Sequence, residues 1–195
     1  MIQLVKLERR SFNIQNMQTR NLNDGSEPTV IEGYASVFNS RTNIEGWYEE
    51  EIAPGAFTES VSQKKDVRCL FNHDWGCVLG RISAKTLLLE EDSKGLRFEV
   101  TLPNTTDANN LKESMARGDI NQCSFGFVVT GQEEDYSGET PLIRITNVDL
   151  WEVSIVSLPA YEDTEAALRS KFQEQNIEML KLRKKILKRI GEFTL

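Results

Sequence analysis

The chain has 195 residues, of which 39% are hydrophobic and 27% are charged, as expected for one globular domain with room for a tail. Its net charge of −7 argues against general nucleic-acid binding, and no apolar run approaches the ~20 residues of a membrane span. The N-terminus lacks the long apolar segment of a secretory signal, so we expect the protein in a cytoplasm.

The three cysteines, Cys69, Cys77 and Cys123, are odd in number and lack Cys-x-x-Cys spacing. This pattern predicts reduced thiols and argues against a disulfide framework or a zinc site. One histidine and scattered cysteines give no metal-ligand spacing, and no glycine-rich phosphate loop is present. We therefore expect no metal and no cofactor.

The first half of the chain reads as short strands joined by polar turns. Alternating, β-branched and aromatic residues predict these strands at 4–7, 30–38, 67–71, 78–82, 86–90 and 96–102. Gly33 indicates a bulge or a close backbone approach in the second strand, and residues 39–50 are expected to form a polar connection. A short helix is expected near 56–63. The last two strands flank a loop that contains Gly95, which predicts a β-hairpin.

A capped helix and further strands follow in the second half. Thr105 or Thr106 can cap a helix over 107–117, and Gly118 ends it. Three more strands are predicted, at 123–130, 142–146 and 148–158, the first two separated by an acidic loop. Short strands with few helices predict an α+β fold, either a small barrel or a sandwich with peripheral helices.

Residues 171–195 differ from the rest in charge and periodicity. They carry seven Lys or Arg and three Glu, and their apolar residues recur at three- and four-residue steps, which predicts a basic amphipathic helix. We therefore divide the chain into a domain at 1–170 and a tail at 171–195. Docking of the tail on the body or in a dimer is the first interpretation. Partner binding, removal and membrane attachment are the alternatives.

His73 and Ser124 are the two positions that carry the most chemistry. His73 is the single histidine and ends a predicted strand, whereas Ser124 lies in a strand otherwise suited to the core. A serine hydroxyl is a poor nucleophile until a base takes its proton, and imidazole is the side chain best suited to that near neutral pH. Gly126 would let a substrate backbone approach or leave an amide to donate to an oxyanion. The alternative is a purely structural role for each.

The third member of such a site would be an acid that orients the imidazole. Strand 148–158 offers Glu152 and Asp149, which period-two alternation places on opposite faces. The same alternation places Leu150 and Ser154 on the face of Glu152. Glu152 lies in the more apolar stretch, where a carboxylate needs a specific partner. An ordinary ion pair at the strand edge is the alternative explanation.

Cys123 is the competing nucleophile. It adjoins Ser124, and the two side chains of neighbouring strand residues point to opposite faces, so only one of them can meet His73. Free cysteine is commonly a small core residue, and we favour that interpretation for all three cysteines.

Six runs of sequence occur in an order that resembles a known family. They are Glu32–Phe38, Ile52–Phe57, Phe71–Asp74 with Val78–Arg81, Gly95–Phe98, Cys123–Phe127 and Trp151–Ala160. Over about residues 30–168 the chain resembles the prohead (capsid maturation) proteases of tailed bacteriophages, of the HK97 type. The resemblance implies a serine endopeptidase with the fold shared by phage prohead and herpesvirus assembly proteases. That fold is a mainly antiparallel β-barrel with peripheral helices.

Carried over position by position, the resemblance implies Ser124 as nucleophile and His73 as general base. Herpesvirus relatives use a second histidine as third member, and this chain has none. Glu152 is therefore our first choice for the third member and Asp149 the second.

The resemblance also implies oxyanion stabilisation by backbone amides near Gly126, helped by Arg81. A surface ion pair explains Arg81 equally well.

For partners, the resemblance implies the major capsid protein or its scaffold segment, and the protease itself, inside the assembling procapsid in the host cytoplasm. Herpesvirus relatives act as dimers, so a homodimer is an open expectation, and no nucleic-acid or membrane partner is expected. Self-cleavage would make 171–195 a removable or targeting segment. The competing interpretations are a non-catalytic assembly or scaffolding protein that keeps the fold, and a cysteine peptidase that uses Cys123.

Overall fold

A computed structural model describes residues 7–13, 18–21, 29–44, 46–63 and 65–157. The predicted strand at 4–7 falls almost entirely outside these residues. The predicted C-terminal helix and the predicted division at residue 170 also lie outside them. No helix of the described part is long and apolar enough to cross a membrane.

The described residues form short strands and two helices. The strands are β1 (Glu8–Asn13), β2 (Gln18–Asn21), β3 (Thr29–Val37), β4 (Thr42–Ile44), β5 (Tyr48–Ile52), β6 (Arg68–Phe71), β7 (Asp74–Arg81), β8 (Leu87–Glu91), β9 (Gly95–Thr101), β10 (Gln122–Asp135) and β11 (Leu142–Val156). The helices are α1 (Thr58–Ser62) and α2 (Thr106–Arg117).

These strands divide into two sheets. The larger has seven strands, in which β1, β10, β11, β5 and β4 follow one another and β6 joins β11 to β7. The smaller has four strands in the order β2, β3, β9, β8. The predicted β-barrel is not confirmed for this part of the chain, because the described strands form two sheets and the pairing stops at the edges of each sheet. The expectation of a mainly β fold with few helices is confirmed.

β11 organises the larger sheet. On one side it pairs with β10 in antiparallel fashion along most of its length. On the other side it pairs in parallel, first with β5 at residues 142–145 and then with β6 at residues 152–155. The second parallel pairing brings β6, and the turn that follows it, beside the end of β11.

The core lies between the two sheets, because one buried cluster contains residues of both. Phe125 and Phe127 of β10 stack with ring centroids 4.7 Å apart, and Phe57 meets Phe125 edge to face at 5.4 Å. Fully burying such a side chain contributes about 1.5–3 kcal/mol. Since side chains alternate along a strand, Ser124 and Gly126 lie on the opposite face of β10 from these rings.

The predicted hairpin and the predicted capped helix are both confirmed. β8 and β9 pair in antiparallel fashion. The hydroxyl of Thr105 accepts a hydrogen bond from the amide of Ala108 at 3.3 Å, so Thr105 is the cap that α2 uses. Gly118 ends the helix in the left-handed conformation, with φ of 84°.

Two predictions of extent were wrong. Residues 39–50, expected as a polar connection, contain the β4–β5 hairpin, because a strand with few apolar residues gives little periodic signal. The register shift of β3 lies between Tyr34 and Ser36, close to Gly33. The strands predicted on either side of Asn147 are one continuous β11.

Candidate active site

His73 lies in a tight two-residue turn between β6 and β7. Phe71 and Asp74 pair across the hairpin, and Asn72 and His73 both have positive φ, 51° and 59°, as in a type I′ turn. Left-handed backbone is uncommon outside glycine, and Asn, Asp and His adopt it most readily. The Asn72 side chain accepts a hydrogen bond from the amide of Ser157 at 2.8 Å, which ties the turn to the end of β11.

The imidazole of His73 meets the carboxylate of Glu152. Nδ1 lies 2.7 Å from Oε1, and the two side chains are 12% and 1% exposed. A carboxylate accepts hydrogen bonds, so the proton of this pair belongs on Nδ1, and Nε2 is then the basic nitrogen. Nε2 is buried and has no hydrogen-bond partner in the described part of the chain. Glu152 thus orients the imidazole ring through Nδ1, while Nε2 of the same ring has no partner among the described residues.

Glu152 occupies a closely fitted space. A Cβ added at Gly126 would lie 2.3 Å from Oε1, so a glycine at this position makes room for the carboxylate. Oε2 accepts a hydrogen bond from the hydroxyl of Ser154 at 2.5 Å. Both oxygens are therefore engaged, which is the condition under which a carboxylate is buried without a large loss of stability.

Ser124 lies directly opposite Ser154 in the ladder of β10 and β11. It is fully buried, and its Oγ donates a hydrogen bond to the backbone carbonyl of Arg10 on β1 at 2.9 Å. Nε2 of His73 is not its partner in this arrangement. The structure thus places the hydroxyl on the strand next to the acid, without a hydrogen bond to the imidazole.

A protein-family model, that of the caudovirus prohead serine proteases, matches residues 15–179. The chain belongs to this family. No curated protein matches the chain. Among solved structures, it is similar to the bacteriophage T4 capsid assembly protease, gp21, with 11% identity and a TM-score of 0.47, over 77% of this chain and 97% of that one. Because this score lies below 0.5, no feature of the T4 protein is transferred to this chain.

The family match confirms the resemblance found in the six sequence runs, and it makes this chain a member of a bacteriophage protease family of capsid maturation. It covers the whole described part of the chain from residue 18 onwards, including both His73 and Ser124. The match does not test the role of any single residue. Those roles stay predictions, which the surrounding geometry supports to different degrees.

Asp149, the second choice for the third member, has other partners. Its carboxylate pairs with Lys65 at 2.6 Å and accepts a hydrogen bond from the indole of Trp151 at 3.3 Å. Its side chain is 31% exposed, against 1% for Glu152. The geometry therefore favours Glu152 as the acid beside His73.

A bulge at Trp151 separates these two acids. Glu152 pairs with Gly126 and Leu150 pairs with Phe127, so β11 has one residue more than β10 at this point. The extra residue shifts the alternation, and Leu150 packs in the core. The prediction that Leu150 shares the face of Glu152 was wrong, because it assumed unbroken alternation. The prediction that Asp149 and Glu152 lie on opposite faces was wrong for the same reason, because they pair with Val128 and Gly126, which share one face of β10.

Arg81 forms an ion pair with Asp66 through two of its guanidinium nitrogens. The amide of Ser83 also donates to this carboxylate, at 3.0 Å. Hydrogen bonds from Arg81 and Ser83 hold the pKa of Asp66 well below its usual value, and the same pair raises the pKa of Arg81. This is the ion pair named as the alternative explanation of Arg81. A contribution to oxyanion binding stays a prediction.

Cys123 belongs to the core cluster, on the face of β10 opposite to Ser124. Burial raises the pKa of its thiol well above the usual value. Burial, with a contribution from the charge of Glu152, also raises the pKa of Cys69. The reactive thiolate is therefore disfavoured at Cys123, which supports a core role. Over the described ranges, no group of three or more His, Cys, Asp or Glu side chains is placed to hold a metal ion.

Two partners in the site were not predicted as such. One is Ser154, whose spacing of two residues from Glu152 on a strand is a usable signal for this contact. The other is the backbone carbonyl of Arg10. It meets Ser124 across 114 positions of sequence, through the pairing of β1 with β10, and no local pattern indicates that pairing.

Proposed function

We propose that this chain is a serine endopeptidase that cleaves the scaffold segment of the major capsid protein, and itself, inside the assembling procapsid in the host cytoplasm. The observation that carries the proposal is the 2.7 Å contact of His73 Nδ1 with the buried carboxylate of Glu152, while Nε2 has no partner among the described residues. Membership of the prohead serine protease family supports the same reaction.

In the proposed mechanism, Ser124 is the nucleophile and His73 is the general base. The hydroxyl of Ser124 leaves the carbonyl of Arg10 and turns to Nε2 of His73, which takes its proton as Oγ attacks the peptide carbonyl carbon. The imidazolium then protonates the leaving amine, and water hydrolyses the acyl-enzyme ester. Glu152 keeps the proton of the neutral ring on Nδ1 and stabilises the imidazolium.

Oxyanion stabilisation is proposed for backbone amides near Gly126 and for Arg81. Gly126 carries this part of the proposal from the family resemblance alone, because the carboxylate of Glu152 occupies the space that its missing side chain leaves. Arg81 would have to leave Asp66. The side chain of Arg81 is 40% exposed, and exposed ion pairs are weak enough to open in water.

The proposed partners follow from the reaction. They are the major capsid protein or its scaffold segment, and a second copy of the chain as substrate or as the other half of a homodimer. Nucleic acid and membrane are not part of the proposal. The protease domain is proposed at residues 1–170, and the basic tail at 171–195 is the proposed segment for self-removal.

Co-expression with the capsid protein precursor tests the proposal. Ser124→Ala should abolish cleavage, because removing the nucleophile of a serine protease lowers kcat by roughly 10⁶-fold. Cys123→Ala is the matched control, since it changes the adjacent residue on the opposite face, and it should cleave normally. Loss of cleavage with Cys123→Ala alone would indicate a thiol peptidase. An unmodified chain that leaves assembled precursor intact would indicate a non-catalytic scaffolding protein.

A further inference from the structure

The carboxylate of Glu152 has two partners, and only one of them is the imidazole. Oε1 contacts Nδ1 of His73 at 2.7 Å, whereas Oε2 accepts a hydrogen bond from the hydroxyl of Ser154 at 2.5 Å. Glu152 and Ser154 are each 1% exposed. A hydrogen bond from a hydroxyl to a carboxylate is short and roughly twice as strong as a neutral one. The Ser154 contact is therefore a substantial part of what holds this acid.

Ser154 occupies a constrained position in the sheet. Its backbone lies opposite Ser124 of β10 on one side and Leu70 of β6 on the other. Strand pairing on both sides fixes the main chain here, and a serine side chain has a single torsion between the main chain and its hydroxyl. The side chain of Ser154 therefore loses little conformational entropy when its hydroxyl bonds to Glu152.

Among the described residues, Gly126 and Ser124 lie on the strand beside this carboxylate, and neither of them supplies the same donor. Gly126, which lies against Oε1, has no side chain. The hydroxyl of Ser124 donates to the carbonyl of Arg10. Without the hydroxyl of Ser154, Oε2 would lose its donor while staying buried, which is unfavourable for a carboxylate. The carboxylate would then no longer be held from both sides, and its contact with the imidazole would change with its orientation.

We propose that Ser154 is a positioning residue of this site. Its hydroxyl fixes the carboxylate of Glu152 and, through it, the ring of His73. The inference rests on the proposed function, in which Nε2 of that ring takes the proton of Ser124. Ser154 touches none of the reacting atoms. Its effect is to keep the ring in the orientation that the nucleophile meets.

The single histidine makes the state of the ring measurable in the full chain, because ¹⁵N-labelled histidine gives only the nitrogens of His73. We expect a downfield Nδ1–H proton signal in the unmodified protein. Ser154→Ala should lose or broaden this signal, and Ser154→Thr, which retains a hydroxyl, should keep it.

Ser60→Ala is the matched control for this measurement. Ser60 is 2% exposed, and its hydroxyl bonds the β11 backbone at Val148 and Leu150, without a hydrogen bond to Glu152. Its replacement therefore removes a buried hydroxyl from contact with the same strand. The Nδ1–H signal should survive this change.

Labelling with a fluorophosphonate probe measures the effect at the nucleophile. The serine oxygen bonds to phosphorus as fluoride leaves, and mass spectrometry of the peptides identifies the labelled residue. Ser154→Ala should lower the maximal labelling rate by about 10- to 100-fold, by analogy with the range found for groups that orient metal-binding side chains. The probe concentration at half-maximal rate should stay the same. Ser60→Ala and Ser154→Thr should label like the unmodified protein.

The outcomes separate this inference from the proposed function. An unchanged signal and labelling rate in folded Ser154→Ala would overturn the positioning role, as would absence of the Nδ1–H signal from the unmodified protein or a label on Ser154 itself. A protein that shows the Nδ1–H signal but takes no label at Ser124 contradicts the proposed function. In that case the Nδ1–H signals of the Ser154 and Ser60 variants alone test the positioning role of Ser154. If Ser154→Ala does not fold, Ser154→Cys replaces it, with a partial loss expected from the weaker thiol donor.

Discussion

Gly126 and Glu152 lie opposite one another in the ladder of β10 and β11, and a methyl group at position 126 would lie 2.3 Å from Oε1 of Glu152. The glycine therefore forms one wall of the space that the carboxylate occupies. Any side chain at 126 would enter that space, on the same strand face as Ser124 two residues away.

Gly126→Ala should impair cleavage by displacing the carboxylate of Glu152. Misplacement of a catalytic arrangement by about 1 Å lowers the rate by about 10²-fold, and we expect a loss of this order in cleavage of the capsid precursor. Gly138→Ala is the matched control, because a Cβ there would lie 3.5 Å from the carbonyl of Thr140, an ordinary contact. Equal cleavage by the two variants would contradict the close fit at position 126.

Glu152→Gln should reduce cleavage far more than Asp149→Asn. An amide at position 152 can present its NH₂ group to Nδ1 and so favour the wrong tautomer of His73, an effect that costs about 10⁴-fold in a serine triad. Asp149→Asn weakens a partly exposed ion pair with Lys65, which is worth at most about 1 kcal/mol. Cleavage rates of the capsid precursor rank the two variants. The reverse ranking would make Asp149 the third member.

Asn72→Ala should destabilise the turn that carries His73. Left-handed backbone costs roughly 1–2 kcal/mol for a residue with a Cβ that lacks a compensating polar group, and the free energy of unfolding should fall by about that amount in urea titrations. The amide of Ser157 also loses its acceptor. We expect slower cleavage as well, because the imidazole is no longer held at the end of β11.

Asn39→Ala is the control for the turn variant. Asn39 has φ of 53°, and its side chain accepts a hydrogen bond from Arg144 at 3.0 Å, so it has the same backbone conformation and a similar polar contact. A comparable loss of stability is expected, with normal cleavage by the folded fraction. Equal loss of cleavage in both variants would show that stability alone, and not the placement of His73, explains the effect.

Iodoacetamide should modify Cys77 well before Cys69 and Cys123. The latter two are 0% and 1% exposed, and burial raises the pKa of both thiols. Burial raises the pKa of Cys77 too, but its side chain is partly exposed, so it should react slowly at neutral pH and faster in alkali. Peptide mass mapping follows the modification. Early modification of Cys123 with loss of cleavage would contradict the core assignment.

Asp66→Asn should reduce stability at neutral pH and make little difference in acid. Hydrogen bonds from Arg81 and Ser83 lower the pKa of Asp66 in the folded state below its ordinary value of 3.8. The unfolded chain therefore binds the proton more readily. The stability that these hydrogen bonds contribute is therefore present above pH 3.8 and is lost as the pH falls below 3.8. The urea midpoints of the unmodified protein and of Asp66→Asn should converge on acidification. The midpoint of Glu113→Gln, an exposed control on α2, should differ from that of the unmodified protein by the same amount at every pH.

The residues of the candidate site could be predicted from the sequence because only a few side-chain types can carry out the chemistry of a serine hydrolase. A single imidazole, a hydroxyl in a core-like strand and a carboxylate in an apolar strand are unusual enough to be recognised without coordinates. Alternation also separated Ser124 from Cys123, since β10 is regular over those residues. The contact of His73 with Glu152 extends these predictions, because it shows which of the two acids meets the ring.

Features that depend on pairing between distant strands could not be predicted in the same way. The bulge at Trp151 is a mismatch between β10 and β11, and it exists only once the two strands are aligned. The contact of Ser124 with Arg10 depends on which edge of β10 receives β1. Barrel closure likewise depends on which sheet edges meet, and alternating strands are equally suited to open sheets.

The parallel pairing of β6 with β11 joins His73 to an acid 79 positions further along the chain. A nascent polypeptide that has not yet reached β11 contains the imidazole and the serine but lacks the group that orients the ring. Pairings over such separations form late, because a long loop must close first. Under the proposed mechanism, the site is therefore complete only once β11 has been synthesised and has paired with β6.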